Sequence, residues 1–65
     1  MTITAELPGS DIRIVFSRTA AITFAKEGGW WAVQDATTVR RTDEEIRASV
    51  EILKDHGWNV VRGVR

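Results

Sequence analysis

Apolar and polar side chains alternate with a period of two through the first half of the chain, and this alternation restricts the fold more than any other feature. Over residues 2–7, Ile3, Ala5 and Leu7 interleave with Thr2, Thr4 and Glu6. Over residues 12–17, Ile12, Ile14 and Phe16 interleave with Arg13, Val15 and Ser17, and over 20–26, Ile22 and Phe24 interleave with Ala21, Thr23 and Ala25. Successive strand residues point to opposite sides of a sheet, so each segment is expected to bury one face and expose the other. Pro8-Gly9 supplies a type II turn between the first two segments, because proline fixes φ and glycine accepts a positive one.

Matching the apolar sides sets the expected register. A three-residue loop of Arg18, Thr19 and Ala20 places Phe16 opposite Ile22 and Ile14 opposite Phe24, joining the bulky residues on one inner face. Gly28-Gly29 reads as a two-residue hairpin loop, since both glycines tolerate positive φ. That loop pairs Phe24 with Val33, sets Trp31 on the inner face with Phe16, Ile22, Phe24 and Val33, and turns Trp30 outward beside Ala32, Ala25 and Thr23. A three-residue Glu27-Gly28-Gly29 loop exchanges the two tryptophans. Residues 36–41 are expected to form a further short strand carrying Thr37 and Val39 on one face.

The second half changes period. Thr42 followed by Glu45 fits a capping box, and three acids in the first turn suit the positive end of a helix dipole. From residue 43 to 56, Ile46, Ser49, Val50, Ile52, Leu53 and His56 fall on one side at 100° per residue, with Asp43, Glu44, Arg47, Ala48, Glu51, Lys54 and Asp55 on the other. Gly57 is placed to end the helix in the left-handed conformation, with Trp58 packing back on Leu53. Residues 58–64 read as a final strand. The expected class is α+β: one domain over residues 1–65, an antiparallel sheet of four to five strands, one C-terminal amphipathic helix covering one face, and a short final strand.

Size makes the uncovered face important. At 65 residues the chain buries only about 60% of the surface of its unfolded form, and it has no cysteine for a disulfide. Self-association is the remaining aid, and a homodimer is expected. No stretch approaches the roughly 20 apolar residues of a membrane span, so no membrane partner and a cytoplasmic location are expected. Nine basic and nine acidic residues cancel, but unevenly. The helix carries five acids against Arg47 and Lys54, leaving the remainder mildly basic.

Catalysis finds little support in these residues, and neither an enzyme, a cofactor nor a metal is expected. His56, the single histidine, sits at the helix C-terminus, where packing beside Ile52 and the dipole explain it. Serines 10, 17 and 49 lack a nucleophile context, and Ser49 is expected to bond back to a carbonyl. Glu51 and Asp55 are too few for a metal site.

The face left open by the helix is expected to hold Arg13, Val15, Thr23, Ala25, Trp30 and Ala32, a mixture less polar than a solvated sheet face. An outward tryptophan beside an arginine resembles the composition of protein-binding hot spots. The expected function is therefore a non-enzymatic protein-interaction module, self-associating and binding a protein through the face around Trp30. The alternative is a small nucleic-acid-binding regulatory protein using Arg13, Arg40, Arg41, Arg62 and Arg65, with Trp30 stacking on a base. By size and composition, either role suits a bacterial or bacteriophage accessory protein.

Overall fold

The computed structural model of the chain describes residues 1–62. Its elements run β1 (Thr2–Leu7), β2 (Ile12–Ser17), β3 (Ala20–Glu27), β4 (Trp30–Thr38), α1 (Asp43–Asp55) and β5 (Asn59–Arg62). The five strands form one antiparallel sheet in the order β4-β3-β2-β1-β5, and α1 lies on one side of it. The expected α+β architecture is thus the observed one. The segment at 36–41 is not a separate strand, because β4 runs through to Thr38, and the expected end of the last strand lies outside the described residues.

Local chemistry accounts for the secure elements. The backbone N–H of Glu45 donates to Thr42 Oγ1 at 3.1 Å and that of Thr42 donates to Glu45 Oε1 at 2.8 Å, closing the capping box. At the other end Gly57, at φ +88°, donates to the Lys54 carbonyl while Trp58 donates to that of Leu53, both at 3.0 Å. This is a Schellman motif, and it turns the chain straight into β5. Ser49 Oγ bonds back to the Glu45 carbonyl at 3.0 Å. Gly9 takes φ +80° in the β1–β2 turn, with Ser10 N–H donating to the Leu7 carbonyl at 3.2 Å.

The β2–β3 hairpin departs from expectation. Ile14 stands opposite Thr23, Val15 opposite Ile22 and Phe16 opposite Ala21, so the loop holds two residues, Arg18 and Thr19. A slip of one residue moves every side chain of a strand to the other face. Ile22 and Phe24 therefore lie on the face away from α1, while Ala21, Thr23 and Ala25 lie on the helix side. The turn lacks the glycine or asparagine signal of a two-residue hairpin and is held from outside. Val39 N–H donates to the Thr19 carbonyl at 3.0 Å, Arg41 N–H donates to the Arg18 carbonyl at 2.8 Å, and the Arg18 guanidinium grips both carboxylate oxygens of Asp43 at 2.9 and 2.7 Å.

The core sits between α1 and the β5-β1-β2 half of the sheet. Ile3, Phe16 and Ile46 are buried together, with Ile14, Ala21, Val50, Leu53 and Val60 packed around them. Ile52, expected on the buried side of the helix, is 59% exposed because it overhangs the flank facing β3, where no second helix lies. His56 is exposed as well, its Nδ1 2.9 Å from the Ile52 carbonyl oxygen.

Ile46 is fully buried, so Ile46→Ala is expected to cost about 2–5 kcal/mol in chemical denaturation. The hydrogen bonds from Arg18 lower the Asp43 carboxyl to about 2 from the ordinary 3.8, against a partial desolvation that raises it. A depressed acid stabilises the fold above its unfolded value and loses that contribution as the pH falls through the folded one. The melting temperature is thus expected to drop between pH 3.8 and about 2, and Asp43→Asn to remove that part of the dependence.

Candidate functional site

The face away from α1 has no covering layer within the chain. Pairing sets its rows: Asn59, Glu6, Arg13, Phe24 and Val33 in one, and Val61, Thr4, Val15, Ile22 and Ala36 in the next. Lys26 and Trp31 pair at one end, and Thr2, beside Ser17, marks the other with Ala20 and Thr38. Val15, Ile22, Phe24, Trp31 and Val33 thus form one apolar tract across β2, β3 and β4, with Val61 on the far side of Thr4. Val33 is 60% and Val61 54% exposed, so water meets this tract directly.

A β-bulge shapes the β4 end. Phe24 pairs with Val33 but Thr23 with Asp35, leaving Gln34 without an opposite residue. The extra residue lets Val33 and Trp31 share the open face while Asp35 and Thr37 turn to the helix side.

The charged groups of the open face are tied to its edge. Arg13 Nη2 lies 2.6 Å from Glu6 Oε2, its cross-strand partner, and the Arg13 guanidinium stands 4.3 Å above the Trp31 ring. Lys26 approaches the same ring at 5.9 Å. Clamped between carboxylate and indole, Arg13 Nε is shielded from water and has no hydrogen-bond acceptor. The guanidinium over the ring is a cation–π contact worth about 0.5–1 kcal/mol when partly exposed. The clamp fixes Trp31 flat beside the apolar tract.

The expected site is therefore half corrected. Arg13 and Val15 do lie on the open face. Trp30, Thr23, Ala25 and Ala32 lie on the helix side, because the β2–β3 register carried β3 and β4 over together. The Gly28-Gly29 loop is the expected two residues, with φ +58° and +88°, and Phe24 does pair with Val33. Yet Trp31 is not in the core and Trp30 does not face away from the helix. Trp30 projects at the hairpin end, past the cover of α1, and is 79% exposed. Sequence reasoning missed Ile22, Phe24, Trp31, Val33 and Val61 as surface residues. The available signal was Val15, an apolar residue on the polar side of β2, which two-residue pairing matches to Ile22.

Of the arginines of the nucleic-acid alternative, Arg13 stands over Trp31, whereas Arg40 and Arg41 lie away from both tryptophans. Arg40 and Arg41 lie near Arg18 in the link from β4 to α1, around a cavity of about 400 Å³ that also includes Thr42 and Glu45. Asp43 neutralises Arg18, and the Arg41 guanidinium stacks 5.5 Å from Phe16. Trp30 lies at the opposite end of β3, roughly 25 Å away at about 3.3 Å per residue. Arg62 belongs to β5, and Arg65 lies outside the described residues. Among the described residues, no three His, Asp or Glu side chains come together as metal ligands, and no helix is long and apolar enough to cross a membrane.

No family model matches the chain, and neither the curated proteins nor the solved structures contain a match to it.

The two tryptophans should separate in solution. A variant retaining only Trp30 (Trp31→Phe, Trp58→Phe) is expected to be quenched readily by acrylamide, as a 79% exposed indole is. One retaining only Trp31 is expected to resist, shielded by Arg13 and Lys26. Equal quenching of the two contradicts the assigned faces.

Proposed function

We propose that this chain is a non-enzymatic protein-interaction module that binds protein through the open sheet face centred on Phe24 and Trp31. The observation that carries this reading is the apolar tract Val15, Ile22, Phe24, Trp31 and Val33. A solvated sheet face alternates toward polar residues, whereas this one groups two half-buried aromatic rings with Val15, Ile22 and an exposed Val33 and has no covering layer. Its composition suits a binding centre: a tryptophan beneath an arginine that is itself paired with Glu6, beside an apolar tract. Trp31 and Phe24 are the anchors, and Arg13 holds the indole in place. In this reading the module also uses the face for self-association.

The nucleic-acid reading is weaker on electrostatic grounds. Formal net charge is zero, Arg13 and Arg18 are each paired to a carboxylate, and Arg40 and Arg41 lie at the opposite end of β3 from exposed Trp30. Affinity for a polyanion scales with the number of phosphates neutralised, and this surface offers few.

Two measurements test the assignment. Peptides selected from a random library on the immobilised chain are expected to be rich in apolar residues, since hot spots accept many ligands, and to lose binding to Trp31→Glu and Phe24→Glu but not to Trp30→Glu. Ligands unaffected by the first two substitutions would move the binding face elsewhere. Titration with a single-stranded oligonucleotide of about 20 residues is expected to show no saturable binding at ~50 mM salt. A complex that forms there, weakens steeply at ~200 mM and disappears with Arg40→Ala, Arg41→Ala would establish the nucleic-acid reading instead.

A further inference from the structure

The monomer leaves most of its large apolar side chains outside its core. Of five aromatic residues (Phe16, Phe24, Trp30, Trp31 and Trp58), only Phe16 is buried. The fully covered set is Ile3, Ala5, Phe16 and Ile46. Phe24 and Trp31 are half-buried in one copy, so a cover would remove from water the remainder of the roughly 150–250 Å² that each aromatic side chain can bury, together with exposed Val33. A chain this short without cysteine has few other sources.

We propose that the occupant of the open face is a second copy of this chain, stacked sheet to sheet about a two-fold axis into a four-layer α/β/β/α particle. A second copy can sit there only if the face binds protein, so the proposal rests on that reading. Area permits it. Five strands at about 4.8 Å and six residues at about 3.3 Å give a footprint of about 500 Å² per copy. The total of about 1,000 Å² reaches the lower bound for a specific interface. Charge permits it too, since two neutral copies do not repel and the tract holds no charged residue.

Charge also selects the orientation. With the sheets head to tail, the end bearing Lys26 and Arg13 in one copy lies over the end bearing Thr2, Ser17 and Thr38 in the other. Head-to-head stacking would bring the Lys26 ammonium groups of the two copies together, Arg13 being paired with Glu6. Both copies use the same patch, so the assembly closes at two. Pairing through the outer edge of β4 is disfavoured, because the Gln34 bulge interrupts that edge and Asp35 places a charge on it.

Light scattering after size exclusion tests the proposal. Wild type is expected near twice 7.3 kDa. Val33→Glu and Phe24→Glu are expected to run as monomers, with the dimer dissociation constant raised at least about 30-fold, and Trp30→Glu, on the other face, to remain dimeric. Val33 is already 60% exposed in one copy, so a monomeric Val33→Glu variant with wild-type circular dichroism marks lost association and not lost folding. Wild type that stays monomeric at ~1 mM removes the second copy as occupant while leaving the peptide selection to decide whether the face binds protein. A dimer that survives both Val33→Glu and Phe24→Glu places the interface elsewhere and overturns the proposal.

Discussion

A hairpin's register follows from the number of residues in its loop, and in β2–β3 that number is two. Everything beyond β2 inherits the choice. With Arg18 and Thr19 as the loop, β3 presents Ala21, Thr23 and Ala25 to the helix and Ile22 and Phe24 to the other side, and the Gly28-Gly29 turn passes this parity to Trp31 and Val33. The turn is weak in its own sequence. It is held by the strand-to-helix link folding back over it, through Val39 and Arg41 N–H groups and the Arg18–Asp43 pair. One small region thus fixes a strand register, anchors the start of α1 and decides which face of the sheet is apolar.

Features encoded within a few residues of one another were legible in the sequence. Thr42 with Glu45, Gly57 with Trp58, Pro8-Gly9 and Gly28-Gly29 each carry their geometry in local hydrogen bonding or in the φ they permit, and each formed as read. The β2–β3 register was not legible, because its determinants are distant: Arg18 meets Asp43 across 25 positions of sequence. Joining Phe16 to Ile22 and Ile14 to Phe24 looked favourable because it gathers apolar residues. That reading presumes a cover wide enough for both, and α1 spans only the β5-β1-β2 half. The small residues of β3 suit the uncovered strip beside Ile52, and the large ones were displaced to the opposite face.

This displacement gives the molecule its character. A core closed by Ile3, Phe16 and Ile46 leaves Phe24 and Trp31 outside it and only half-buried, which is the basis of the proposed interaction face. Arg13 serves both states: its pairing with Glu6 holds the guanidinium over the Trp31 ring, which stays flat and available without a partner. The adjacent tryptophans occupy opposite faces of β4. Trp30 marks the tip of a hairpin beyond the helix, and Trp31 lies at one end of the open face beneath the Arg13 guanidinium.

The account turns on which residues of β2 and β3 face one another, and cross-strand nuclear Overhauser contacts between them measure this directly. Contacts linking Ile14 with Thr23 and Val15 with Ile22 are the expected result. Contacts linking Ile14 with Phe24 and Phe16 with Ile22 would return Phe24 and Trp31 to the helix side and contradict the assignment of the open face.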